Sequence, residues 1–221
     1  AWRKGGQRHP GSYQRRIWIK SASDRPAHED GIDTIITCDN GIAAAKEIEY
    51  GKALGMTIIV TDHHEVPYKE NEAGRRYILP PADAVVDPRQ EGCEYPFKGL
   101  CGAAVAYKFV EALCEANGQD VADLDYLLEN VAIATVADVM DLTEENRILV
   151  KQGLEMLKRT SNLGLRADPV YRAGGKKIQA YHIGFILAPC LNASGKLDTA
   201  KEHWHCFGQR QSGRQICWQV I

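Results

Sequence analysis

The chain has 221 residues and a net charge of −2. Its length and its content of 44% hydrophobic residues suffice for one good core. Its seven cysteines are odd in number and form no C-x-x-C pair, which argues against a disulfide framework and favours reduced thiols in a cytoplasmic protein. The longest apolar runs stay well below about 18 residues, so we expect neither a membrane span nor a signal peptide.

Charge is distributed unevenly along the chain. Residues 1–26 contain seven Lys and Arg against one acidic residue, whereas residues 27–200 contain 17 Lys and Arg against 27 Asp and Glu. We expect residues 1–30 to form an atypical basic arm, which is either a solvated disordered tail or an arm that contacts phosphates. The acidic body argues against strong nonspecific DNA binding. All four tryptophans lie near the two ends, and residues 202–221 form an atypical tail.

Two β-rich apolar runs, 33–38 and 56–61, are each followed directly by a carboxylate. Asp39 follows the first run and Asp62 the second, and a helical pattern that ends at Gly55 separates them. This order predicts a βαβ unit. Because parallel strands bring their carboxyl ends to one edge of a sheet, we expect Asp39 and Asp62 on the same edge, where open α/β sheets bind ligands.

Two histidines follow Asp62 directly, giving Asp62-His63-His64. A carboxylate and two imidazoles at a strand tip are hard to explain by packing, because buried charges and imidazoles need partners. We interpret the tripeptide as half of a metal site, and carboxylates with a single imidazole fit Mn²⁺ better than Mg²⁺. Taken singly, each histidine could be a loop residue, and Asp39 before Asn-Gly could be a turn or N-cap residue.

The remaining elements continue the alternation of strands and helices. A polar loop is predicted over 71–81, and a short strand over 84–87 ends at an X-Pro step. Helical periodicity predicts three further helices, over about 99–117, 122–137 and 143–158. An apolar stretch over 183–187 is predicted to break at Pro189. We therefore predict the α/β class, with one main domain built on a parallel sheet flanked by helices.

Asp138 follows the apolar stretch of the second of these helices. One interpretation is a surface residue at a helix end. That position is unfavourable for a carboxylate, because the carboxyl end of a helix carries negative partial charge. A nearby cation would remove the conflict, which makes Asp138 a candidate ligand.

The residues at these positions resemble the motifs of the DHH phosphoesterases. Motifs II, III and IV of that superfamily resemble the segments 37–42, 60–64 and 135–140. Within the superfamily, the RecJ-like single-stranded-DNA-specific exonucleases are similar at the segments 100–108 and 191–198. The resemblance covers roughly 31–201. The family also has a D-x-D-x-D-G motif upstream of motif II, and residues 1–30 contain no counterpart.

The resemblance implies a two-metal site with Mn²⁺ or Mg²⁺. By that resemblance Asp39 would bridge the ions, and His63 and Asp138 would ligate one of them. Asp62 would support or ligate beside them, and His64 would face the scissile phosphate, either donating a hydrogen bond or protonating the leaving oxygen. Without the upstream aspartates, one of the two ion sites is expected to be incomplete.

A second element of the resemblance lies near the carboxyl end. Asn192 and Lys196 belong to an N-A-S-G-K segment that resembles the family's N-A-x-G-R element near the cleft. Lys196 keeps the charge of the family's arginine but loses its planar, bidentate fork. The two residues are therefore candidates to contact nucleic acid, and a glycine turn that caps the following helix is an equally good interpretation.

The resemblance implies a metal-dependent phosphodiesterase that hydrolyses single-stranded DNA from 5′ to 3′ in DNA repair or recombination, impaired in this chain. Single-stranded DNA is the expected partner, and no membrane is involved. Residues 31–160 would form a partial phosphoesterase core, and residues 161–201 a connector towards a missing C-terminal domain. The alternatives are an inactive remnant that binds at most one divalent ion, and a phosphodiesterase acting on oligoribonucleotides or cyclic dinucleotides.

Overall fold

The computed structural model describes residues 32–71, 74–167 and 178–191. The chain divides after Lys98 into two compact units, here called the first unit and the second unit. Among the described residues, no helix combines the length and apolar character that crossing a membrane requires.

The first unit is built on a three-stranded parallel sheet. Its strands are β1 (Thr34–Ile36), β2 (Thr57–Thr61) and β5 (Ala84–Val86), in the order β1-β2-β5, with helix α1 (Ala45–Ala53) between β1 and β2. The register pairs Ile35 with Ile58 and Val60 with Val85. One cluster of buried side chains packs the sheet and helix together: Ala44, Ile48, Met56, Ile58 and Val60. The parallel sheet flanked by helices confirms the predicted fold class.

A tight turn precedes helix α1. Gly41 has a φ of 118°, which favours glycine. A Cβ there would lie 3.0 Å from Val60 Cγ1 and 3.1 Å from Thr37 Oγ1. The amide of Ala44 donates to the Gly41 carbonyl at 3.0 Å and closes the turn. The turn therefore packs directly on β2 before the helix starts.

The predicted polar loop over 71–81 is wrong for its first half, which contributes to a β-hairpin. Strands β3 (Tyr68–Asn71) and β4 (Gly74–Tyr77) pair antiparallel. Every described residue in them is exposed, so no alternation of apolar and polar residues reveals the strands. The pairing brings Tyr68 and Tyr77 edge to face at 6.0 Å and places the Arg75 guanidinium 4.5 Å above the Tyr68 ring.

The second unit is helical. Its principal elements are α2 (Gly102–Ala116), a 3₁₀ helix (Val121–Leu127), α3 (Leu128–Ala137), α4 (Glu144–Leu157) and α5 (Leu163–Ala167). The predicted helix over 122–137 is thus two elements, and the Asp120 side chain caps the first by accepting from the Ala122 amide at 2.9 Å. Helices α3 and α4 pack closely at Gly153, where a Cβ would lie 2.2 Å from the Leu128 carbonyl oxygen.

Lys108 joins α2 to α4 inside the second unit. Its Nζ lies 2.9 Å from a Glu111 carboxylate oxygen and 3.1 Å from one of Glu145. Burial by itself lowers the pKa of Lys108, but the hydrogen bonds to the two glutamates outweigh it and raise that pKa above its ordinary value. Lys108 is therefore fully charged, and its ion pairs connect α2 with α4.

The last described segment contradicts the predicted break at Pro189. Helix α6 (Ala180–His182) runs into a π-helical turn (Ile183–Leu187), and the backbone stays helical over 188–191. A proline lacks the amide hydrogen of a regular helix, and the wider π turn just before it accommodates that loss. The turn is anchored because Ile183 and Leu187 are buried against Ile133 and Leu157.

Candidate metal centre

The chain leaves the extended conformation shortly after the end of β1. Asp39 has a φ of 58°, in the left-handed region that aspartate tolerates better than most residues. Two threonines tie this turn to β2: Thr61 Oγ1 donates to the Thr37 carbonyl at 2.6 Å, and the Thr61 amide donates to Thr37 Oγ1 at 3.2 Å. The strand ends are therefore fixed to each other where the candidate ligands begin.

Three of the predicted site residues come together at this edge. Asp39, His63 and His64 each offer one ligand atom, and the three atoms lie within 4.8 Å of one another. His63 is only 6% exposed, and its Nε2 lies 2.9 Å from Asp39 Oδ1. The two imidazole rings have centroids 4.5 Å apart. A carboxylate and imidazoles at this spacing fit a divalent cation such as Mn²⁺.

Asp62 lies beside this group and is only 1% exposed. Its Oδ2 accepts a hydrogen bond from the Ile42 amide at 2.9 Å, and its Oδ1 accepts one from the His63 amide at 2.8 Å. The same Oδ1 lies 2.6 Å from His64 Nδ1, which donates to it because an ionised carboxylate can only accept. Both oxygens of Asp62 are thus occupied by donors of the protein, and the residue orients the loop and the His64 ring.

The His64 side chain is 59% exposed. With Nδ1 committed to Asp62, its tautomer is fixed, and Nε2 is the nitrogen left to act on another molecule. The arrangement therefore separates two histidines that are neighbours in sequence. His63 is buried against Asp39, and His64 faces solvent.

A third aspartate at this edge was missed by the sequence analysis as a site residue. Asp87 follows β5 directly and is 2% exposed. Its Oδ1 accepts from the Arg89 amide at 2.8 Å. Burial raises the pKa of Asp87 to about 6, and the charge of Asp62 raises it further against the opposing effects of Arg89 and His63. The sequence contains a signal, because Asp87 ends an apolar run as Asp39 and Asp62 do, but the X-Pro step after it also accounts for the end of the strand.

The structure places Asp138 in the second unit, whereas the group of Asp39, His63 and His64 lies in the first. Asp138 is the C-cap of α3, and its amide donates to the Ala134 carbonyl at 2.9 Å. Val139 follows with a φ of 56° and is 87% exposed, a strained conformation for a β-branched residue. The predicted nucleic-acid contacts Asn192 and Lys196 lie outside the described residues.

The family model of the DHH family, N-terminal domain, matches residues 7–135, so the chain belongs to the DHH family. The chain is 42% identical over 191 residues to the single-stranded-DNA-specific exonuclease RecJ of Bacillus subtilis (strain 168), covering 85% of this chain and 22% of that protein. It is 36% identical over 183 residues to the RecJ of Escherichia coli (strain K12), covering 78% of this chain and 30% of that protein. The chain thus spans less than a third of the length of these two curated relatives.

Solved structures agree with this assignment. The structure of RecJ in complex with Mn²⁺ from Thermus thermophilus superimposes with a TM-score of 0.69 at 30% identity, covering 85% of this chain and 26% of that one. A structure of exonuclease RecJ bound to manganese gives 0.66 at 32% identity, covering 81% and 43%. These similarities confirm the predicted resemblance and the predicted fold.

Proposed function

We propose that this chain is the metal-binding part of a RecJ-like exonuclease that hydrolyses single-stranded DNA from the 5′ end in DNA repair or recombination. The observation that carries the proposal is the group of Asp39, His63 and His64 at the carboxyl edge of the parallel sheet. Similarity to RecJ relatives, two of which were solved with manganese, supports both the substrate class and the ion.

In this proposal Asp39 and His63 hold Mn²⁺ or Mg²⁺, and Asp138 is proposed as a further ligand. A bound divalent ion would polarise the phosphodiester and lower the pKa of water at the site. The ligand atoms of the first unit fit such an ion, because the His63 Nε2 and the Asp39 carboxylate already face each other at 2.9 Å.

His64 is the proposed group that faces the scissile phosphate. The Asp62 carboxylate accepts the Nδ1–H of His64 and so leaves Nε2 as the ring nitrogen that can face the phosphate. Protonated Nε2 would donate to a phosphate oxygen or pass its proton to the leaving oxygen. Asp62 therefore has an orienting role in catalysis, through its hydrogen bond to His64. Asn192 and Lys196 are proposed to contact the phosphates of the DNA.

A second candidate is an inactive remnant that binds at most one divalent ion, and the single group of ligand atoms found among the described residues is compatible with it. A cytoplasmic location is part of either proposal, because the five cysteines among the described residues form no disulfide. A phosphodiesterase acting on oligoribonucleotides or cyclic dinucleotides uses the same chemistry on another substrate.

One substrate panel separates these candidates. The purified chain, incubated with Mn²⁺, is given single-stranded DNA labelled at either end, an oligoribonucleotide and a cyclic dinucleotide. Preferential release of 5′ nucleotides from DNA supports the proposal, and preferential cleavage of another substrate assigns the alternative. The variant H64Q should cut about 100-fold or more slowly while still binding Mn²⁺ through Asp39 and His63. Its matched control, H182Q in the second unit, should cut at the wild-type rate.

Mn²⁺ binding without cleavage of any substrate would assign the inactive remnant. Equal cleavage by H64Q and the unchanged chain would remove His64 from the chemistry.

A further inference from the structure

The hairpin of β3 and β4 begins close to His64. Val66 is 2% exposed and anchors the segment between them, and the Ile78 amide donates to the Pro67 carbonyl at 2.7 Å. The first residue of β3, Tyr68, is four residues from His64, so their Cα atoms are at most about 14 Å apart. A molecule bound along the hairpin can therefore also reach the exposed His64 side chain.

One face of the hairpin carries two positive charges opposite each other. Side chains alternate between the two faces of a strand, and the register pairs Lys69 with Arg76. The Cβ atoms of such a pair lie about 4.5–5.5 Å apart, and like charges in this arrangement destabilise the pairing. No ion pair with a described residue offsets either charge. An anion bound on this face would relieve the repulsion.

The opposite face carries an exposed stack of aromatic and cationic groups. The Arg75 guanidinium lies 4.5 Å above the Tyr68 ring, and its Nε donates to Glu70 Oε1 at 3.2 Å, which holds the guanidinium in place. Tyr68 is 46% exposed and Tyr77 is 36% exposed. The bases of single-stranded nucleic acids stack on aromatic rings and guanidinium planes of this kind.

The composition of the hairpin indicates which partner fits both faces. Residues 68–77 contain three basic and two acidic residues, whereas residues 27–200 contain 17 basic and 27 acidic residues. The hairpin is therefore a local positive region of an acidic chain. A single-stranded nucleic acid has phosphates for the paired cations and bases for the stack. An acidic protein surface offers only the charge.

We propose that this hairpin binds the single-stranded DNA beside the candidate metal centre, with Lys69 and Arg76 contacting phosphates and a base stacking on Tyr68 and Arg75. The inference rests on the proposed function, because it takes the substrate to be single-stranded DNA. A flexible single strand can follow the edge of a two-stranded ribbon, with phosphates on one face and a base on the other. These side chains position the strand and take no part in bond cleavage.

Binding is measured without metal, in EDTA, by fluorescence anisotropy of a labelled oligothymidine of about 12 nucleotides. K69Q/R76Q should bind more weakly, and the slope of log K against log salt should fall by about 1.4, because each phosphate contact on a single strand contributes about 0.7. The matched control is R147Q/K151Q, which removes an exposed arginine and lysine from α4 and should leave the slope unchanged. Equal losses in both double variants would overturn the proposal, as would a wild type that does not bind at low salt.

Stability and stacking separate DNA contact from a structural role. K69Q/R76Q should keep or raise the melting temperature, because it removes a repulsion between like charges. A fall in melting temperature together with the loss of binding would contradict the proposal. Y68A should bind oligothymidine about 5–100-fold more weakly, whereas Y68F keeps the aromatic face and should bind normally. Polyglutamate that competes as well as unlabelled oligothymidine would assign the hairpin to an acidic protein partner and overturn the proposal.

Cleavage assays with Mn²⁺ distinguish failure of this inference from failure of the proposed function. K69Q/R76Q should raise KM for the oligothymidine with little change in kcat, and should cut a dinucleotide at the wild-type rate, because a dinucleotide is too short to extend along the hairpin. Cleavage of DNA with an unchanged KM in K69Q/R76Q would refute the hairpin contact alone. Hairpin-dependent binding by a chain that cuts no substrate would refute the proposed function alone.

Discussion

The two edges of the three-stranded sheet both carry aspartates but compensate them differently. At the amino-terminal edge, Asp83 accepts hydrogen bonds from Lys52 Nζ and the Ile58 amide, each at 2.7 Å. The hydrogen bond from Lys52 lowers the pKa of Asp83. At the carboxyl-terminal edge, Asp39 faces an imidazole, and the pKa of Asp87 is raised to about 6.

This difference in charge compensation indicates which edge of the sheet can bind an ion. The charge of a carboxylate paired with a lysine is already neutralised, so the amino-terminal edge does not need a further cation. Carboxylates collected around imidazoles keep negative charge, because a neutral histidine does not cancel it. A divalent cation would supply the missing compensation at the carboxyl edge, and each prediction below compares one edge with the other.

The largest expected effect concerns the ion itself. Mn²⁺ should raise the melting temperature of the purified chain, and D39A should abolish that rise, because Asp39 and His63 face each other at 2.9 Å across the proposed site. The matched control is D33A, an exposed aspartate just before β1, which should keep the full rise. Differential scanning calorimetry with and without Mn²⁺ measures both. An equal rise in D39A would refute the assignment.

Next in size is the loss of the buried carboxylate that organises the site. D62A leaves the Ile42 and His63 amides without their acceptor, and we expect it to lower the free energy of unfolding by about 3 kcal/mol. At the other edge, D83A should cause a smaller loss, because Asp83 is exposed to solvent. Urea unfolding followed by circular dichroism compares the two. Equal losses in the free energy of unfolding would contradict the expected difference between the aspartates of the two edges.

The site residues that could be predicted are those that follow a strong apolar run. Asp39 and His63 follow such runs, and parallel pairing alone brings them to one edge. The hairpin of β3 and β4 was not predictable, because cross-strand pairing of exposed residues leaves no period in the sequence. Asp87 was missed because β5 has only three residues and an X-Pro step follows it. The role of Asp138 stays a prediction, since its unit is separate from the one that holds the group of ligands.

A pH series tests the unusual carboxylate of the carboxyl edge. The pKa of Asp87 is about 6 in the folded protein against an ordinary value of 3.8, so folding favours its protonated form. Its contribution to stability is therefore fully present below about pH 4 and is lost as the pH rises through about 6, an effect on the order of 2 kcal/mol. D87N should gain stability relative to the metal-free wild type over this window in urea titrations. Parallel pH curves would contradict the raised pKa.

The smallest expected effect belongs to the lysine of the amino edge. Lys52 Nζ donates to Asp83 at 2.7 Å and to the Met56 carbonyl at 3.0 Å, and both side chains of the pair are partly exposed. K52M should lower the melting temperature slightly at low ionic strength and less at high ionic strength, because salt screens a pair in contact with water. Its affinity for Mn²⁺ should match that of the wild type, since this charge compensates only its own edge. A clear loss of Mn²⁺ affinity in K52M would show that Lys52 also affects the carboxyl-terminal edge.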